Sequence, residues 1–133
     1  MADQETLAAV TRAVVEALSV PESEVQPGTT LMDELGAESI DLLDILFRLE
    51  RKLGVKIKAA DVSAYIQGEI PEGDFGGDDG IVTPAALGQI KRIMPQVDIE
   101  KLAGNLESDQ VMKLFTIENL ADMVTARASA AAR

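Results

Sequence analysis

Seven residues, Leu35-Gly36-Ala37-Glu38-Ser39-Ile40-Asp41, mark the point where a loop turns into an apolar-periodic helix. They set one serine at the turn with acids on both sides. Downstream, Ile40, Leu43 and Phe47 together with Leu42, Ile45, Leu46, Leu49 and Leu53 recur at helical spacing and predict a helix over 39–53 with a wide apolar face. Gly54 ends it. Asp41 and Asp44 lie near its start and Arg48, Arg51 and Lys52 near its end, which suits the helix macrodipole. Asp44 and Arg48 stand four apart in the favourable order. A serine at such a start has two uses. It can accept a hydrogen bond from a first-turn amide as N-cap, worth about 1 kcal/mol. It can also offer an exposed hydroxyl for attachment of an anionic group, because a helix N-terminus favours negative charge.

The rest of the chain reads as helical too. Leu7, Val10, Val14 and Leu18 predict a first helix over 3–19, with Asp3 as N-cap and Pro21 as its stop. The loop to Glu38 carries Pro27-Gly28, yet Leu31, Met32 and Leu35 should pin it to the core. Val55 to Lys58 is short and extended, residues 59–67 are weakly helical, and 68–80 hold five glycines, the pattern of a mobile loop. Thr83-Pro84 opens another helix with threonine as N-cap and proline at N1, and Pro95 closes it. A shorter helix is expected over 98–106. The last starts at Thr116, with Phe115 and Leu120 as its hydrophobic staple, and should fray from Arg127. There is no internal repeat. The expectation is one all-α domain, a small helical bundle.

Composition narrows the function. The 133 residues suit a single domain that buries roughly two thirds of its unfolded surface. Cysteine and histidine are both absent. That excludes disulfides, thiolate metal sites and thiol nucleophiles, and removes the usual general base of acyl transfer. No catalytic residue can be nominated. The cluster Asp74-Phe75-Gly76-Gly77-Asp78-Asp79-Gly80 resembles a calcium loop, but Gly76 stands where an alternating ligand is needed, so no metal site is assigned. From Ala13 to Phe47 there are eight acids and no Lys or Arg, within a net charge of −11. Such a surface repels nucleic acid and anionic lipid and attracts basic protein partners. It also simply keeps a protein soluble. No apolar run approaches the ~20 residues of a membrane span, and the acidic start lacks a secretory pattern, so the expected location is cytoplasmic.

Asp33-Glu34-Leu35-Gly36-Ala37-Glu38-Ser39-Ile40-Asp41, followed by an amphipathic helix, resembles the acyl carrier protein family. The order of elements is similar as well: a first helix, a long loop, a serine opening helix two, and a last helix beginning with Thr. The resemblance covers residues 3–57 and 115–127. It implies an acyl-carrier-like four-helix bundle that is a carrier, not an enzyme. Ser39 would accept 4′-phosphopantetheine from coenzyme A through a separate magnesium-dependent phosphopantetheinyl transferase. The thiol of that arm would hold acyl chains as thioesters and supply the sulfur this chain lacks. Helix two would dock on basic patches of ketosynthases, acyltransferases or other acyl-loading enzymes, with Glu38, Ile40, Asp41 and Asp44 as the matching positions. The chain would act as a monomer in specialised fatty acid, lipid or polyketide synthesis. A peptidyl or aminoacyl carrier is the near variant, and an unmodified helical interaction module, with Ser39 only a cap, is the alternative.

Three departures stand out. Glu38 replaces the family's usual Asp before the serine, and Ile40 its usual Leu after it. The distal half of helix two is basic at Arg48, Arg51 and Lys52, which points to dedicated partners. Residues 58–114 fill a gap that the family crosses with one short helix. This insert would either enlarge or cover an acyl cavity, where each buried methylene contributes about 0.8 kcal/mol, or pack outside the bundle.

Overall fold

The computed structural model describes residues 4–131, without the side chains of residues 72 and 129–131. Apolar side chains at helical spacing form two long helices that pack on each other. Helix α1 (Gln4–Leu18) buries Val10, Ala13 and Val14. Helix α2 (Ser39–Leu53) buries Leu42, Ile45, Leu46 and Leu49. Gly54, at φ +69°, closes α2 in the left-handed region that favours glycine. Helix α7 (Ile117–Ala131) packs against α1. Its start follows the sequence signal: Phe115 and Leu120 are both fully buried around Thr116. It runs to Ala131, past the Arg127 where fraying is expected from sequence. The reading of Asp3 as N-cap lies outside the described residues.

Between α2 and α7 the chain builds a run of shorter elements. Val55 and Ile57 turn inward and Lys56 and Lys58 outward along an extended segment. Helix α3 (Ala59–Gln67) buries Val62 and Ile66. Residues 68–80 are not an open loop. They contain a single-turn helix, α4 (Glu72–Phe75), and a turn closed by Gly77 N–H to Ile81 O and Gly80 N–H to Gly77 O, both 2.8 Å. Asp79 Oδ1 accepts Ile81 N–H at 3.0 Å. Among the described residues no three acids converge as metal ligands.

Thr83 caps α5 (Pro84–Ile93), accepting Ala86 N–H at 3.3 Å, and also ties it to α4 by donating to Asp74 O at 2.6 Å. Helix α6 (Ile99–Leu102) is shorter than the 98–106 expected, because Gly104 turns the chain at φ +76°. A 3₁₀ segment, Ser108–Leu114, carries the chain to α7 and was not legible in the sequence. The buried apolar residues of these elements and of α1, α2 and α7 form one core cluster. No described residues form a named strand; only isolated bridges occur, and the fold is all-α with helices beyond the four of a simple bundle. No helix among the described residues is long and apolar enough to cross a membrane.

Candidate functional site

The loop before α2 is held in place from below. Thr30 pairs with Thr116 in an antiparallel bridge, Leu31 N–H donates to Phe115 O and Ile117 N–H to Thr29 O, each at 3.0 Å. These bonds fasten the loop to the start of α7. Thr30 and Glu34 then close a local ring: Thr30 N–H donates to Glu34 Oε1 and Glu34 N–H to Thr30 Oγ1, both at 3.0 Å. Gly36 takes φ +70°, a turn that costs a glycine little. Ala37 is buried behind it and donates its N–H to Leu31 O at 3.2 Å. The chain thus reaches α2 from a fixed direction.

At the entry to α2 the structure corrects one reading. Ser39 is not the N-cap. Glu38 occupies that position with extended backbone, and its N–H donates to Asp41 Oδ2 at 2.8 Å. Ser39 is the first helical residue. Its side chain is exposed and makes no hydrogen bond to any described residue. The hydroxyl is therefore free, and it stands at the positive end of a 15-residue helix.

The other sequence-nominated residues divide. Glu38 and Ile40 are exposed. Asp41 is half-buried and committed to the Glu38 amide. Asp44 is half-buried and accepts Arg48 Nε–H at 3.0 Å. Arg48 also reaches Glu16 of α1 at 3.9 Å, and Lys52 reaches the same carboxylate at 3.4 Å. Two of the three acids are thus already engaged within the chain.

Helical spacing alone places all the apolar residues of α2 on one wide face. The structure separates them. Ile40, Leu43 and Phe47 are 70, 52 and 58% exposed, a stripe at i, i+3 and i+7 pointing away from the core. Ser39 lies four residues before Leu43, so the free hydroxyl borders this stripe. The signal was present in the sequence: eight apolar positions in 15 residues span more of the helix than one contact face can bury.

These features fit a phosphopantetheine. A phosphodiester needs an accessible hydroxyl and tolerates a helix N-terminus, and Ser39 supplies both. The group itself would bring a thiol that no residue here provides.

Comparison with known proteins agrees. The family model described as "Phosphopantetheine attachment site" matches residues 8–66, from α1 into α3. The chain is 38% identical over 63 residues to an acyl carrier protein of Thermotoga maritima, a match covering 47% of this chain and 78% of the relative. It is 36% identical over 72 residues to an acyl carrier protein of Helicobacter hepaticus, covering 47% of this chain and 95% of that one. No solved structure matches. The chain belongs to the acyl carrier protein family, and it is a carrier with a covalently attached 4′-phosphopantetheine group, not an enzyme.

Proposed function

We propose that Ser39 is the attachment residue and that the chain is a discrete carrier of acyl thioesters in specialised fatty acid, lipid or polyketide biosynthesis, acting in the cytoplasm. One observation carries this reading. The Ser39 hydroxyl is exposed and unbonded, because Glu38 and Asp41 take over the capping that a helix-start serine would otherwise perform.

The role of the chain is to hold and present. The loop fastened to α7 fixes where the arm would leave the surface. The exposed stripe of Ile40, Leu43 and Phe47, with exposed Glu38 beside it, is the surface on which acyl-loading, ketosynthase or acyltransferase partners would close over the arm. We read the chain as one domain with its carrier core in 3–57 and 115–127 and an insert in 58–114. The insert forms a groove of about 220 Å³ lined in part by Ile66, Phe75, Val111 and Met112. Its elements share the single core cluster with α1, α2 and α7, which supports packing beside the bundle as its first role.

The test is direct. Incubation with coenzyme A, magnesium and a broad-specificity phosphopantetheinyl transferase should add one phosphopantetheinyl group by intact mass, and Ser39→Ala should abolish the gain. No gain with several transferases, or a gain that Ser39→Ala keeps, would count against Ser39 as the attachment residue.

A further inference from the structure

Three cations lie in the second half of α2, and their surroundings differ. Arg48 is paired with Asp44 and Glu16, and Lys52 with Glu16. Arg51 has no carboxylate partner among the described residues. Instead its guanidinium carbon sits over the Phe47 ring, 5.9 Å from the centroid, and both side chains are exposed. That distance is within cation–π range. Phe47 is also the last member of the uncovered apolar stripe. The face of α2 that borders Ser39 is therefore bipolar. Exposed Glu38 lies at its Ser39 end, the apolar stripe in the middle, and one cation without a carboxylate partner among the described residues at its far end.

We propose that Arg51 is a docking determinant of this carrier, and that its protein partners present a carboxylate to Arg51 next to a pocket that takes the Phe47 ring. The proposal rests on the reading of Ser39 as the attachment site and names the partner chemistry of that site. Charge complementarity supplies the occupant. A partner with a uniformly basic patch suits the Ser39 end and is repelled at Arg51. A partner with basic groups at one end and an acid at the other matches both ends and is fixed in one orientation along α2. A guanidinium is suited to the task, since it offers five N–H donors and can bind a carboxylate through two parallel bonds while resting on an aromatic face. Arg48 and Lys52 are unsuited, because an incoming acid would have to compete with Glu16.

The probe is a broad-specificity phosphopantetheinyl transferase, with a panel of single Arg→Glu and Lys→Glu variants of its own carrier-docking surface. The rate constant kcat/KM for loading Ser39 is measured on the wild-type chain, Arg51→Glu, Arg51→Gln and Lys52→Gln. Against the unmodified basic transferase, Arg51→Glu should be loaded about three- to tenfold faster and Lys52→Gln at the wild-type rate. One acid-bearing transferase variant should reverse that order, favouring wild type over Arg51→Glu, which is the signature of a direct pair in a double-mutant cycle. Loading of the wild type with rates indifferent to residue 51 across the whole panel would overturn the proposal and leave Ser39 attachment standing. Failure to load the wild type at all would overturn both. A wild-type dimer that Phe47→Asp dissolves would assign this face to a second copy and also overturn the proposal.

Discussion

The carboxylate of Asp41 accepts the backbone N–H of Glu38 at 2.8 Å, and Ser39, between them, is left out of the capping arrangement. This relationship sets the order of two stability effects. Asp41→Ala removes a cap bond and should cost about 1 kcal/mol. Ser39→Ala removes an exposed, unbonded hydroxyl and should stay within about 0.5 kcal/mol of wild type. Urea unfolding of both variants checks the order. A larger loss for Ser39→Ala would return the serine to a capping role.

The two apolar sets of α2 should separate as sharply. Leu46 is buried, and Leu46→Ala leaves a cavity that should cost about 2–5 kcal/mol. Phe47 is 58% exposed, and Phe47→Ala should change stability by no more than about 0.5 kcal/mol while slowing transfer to or from partner enzymes. Paired measurements of unfolding and loading rate distinguish a core residue from a contact residue.

That pair also shows where sequence reading stops. The staple of Phe115 and Leu120 around Thr116, the Thr83 cap with Pro84 behind it, and the glycine stop at Gly54 are local signals, complete within a few residues, and the structure carries each of them. Which part of an apolar arc is covered depends on the neighbouring helix, so Leu46 and Phe47 look alike until α1 is in place. The free hydroxyl of Ser39 was legible only as one of two uses, because Glu38 and Ser39 are both acceptable at a helix start and the Asp41 side chain decides between them. The 3₁₀ segment Ser108–Leu114 has no periodicity of its own, and the core contact of Val111 is what the structure adds. The two-way pairing of Gln96 with Asn119 spans 23 residues and leaves no mark in either stretch.

Asn119 ties the end of α5 and Gln96 to the start of α7, and it should be intolerant of change. It is 2% exposed. Its Oδ1 accepts Thr116 N–H at 3.0 Å and Gln96 Nε2–H at 2.8 Å, its Nδ2 donates to Ile93 O at 3.3 Å, and its own N–H donates to Thr116 Oγ1 at 3.1 Å. Asn119→Ala leaves the Thr116 amide without its acceptor and should cost about 2–3 kcal/mol. Gln96→Ala, at an exposed position, should cost about 1 kcal/mol or less. Equal losses in urea unfolding would count against a buried hub.

Gly68 is fixed by two independent constraints. Its φ of +61° with ψ −133° suits only glycine, and a Cβ there would run into the carboxamide of buried Gln89. That carboxamide donates to Tyr65 O at 3.3 Å, which joins α5 to α3. Gly68→Ala should therefore destabilise by about 2 kcal/mol or more, through both strain and loss of the α3–α5 tie. Thermal unfolding should show the loss, whereas Gly28→Ala, with open space around its Cα and no positive φ, should leave the transition in place.

The pH dependence at the alkaline end should report on Tyr65. Burial raises its pKa above the ordinary 10.0, and the negative charge of Asp122 raises it further. Both act by disfavouring the phenolate, so the folded state prefers the protonated ring more than the unfolded chain does. The resulting stability is fully present below the unfolded value of about 10 and is lost as pH rises through the folded one. Tyr65 is the only tyrosine and there is no tryptophan, so ultraviolet absorbance of the tyrosinate follows this one group. The titration midpoint should lie above 10.0, and Asp122→Asn should move it down. A midpoint at or below the ordinary value, or one that Asp122→Asn leaves unmoved, would contradict the packing of Tyr65 in the α3–α7 groove with Met123 and Ala126.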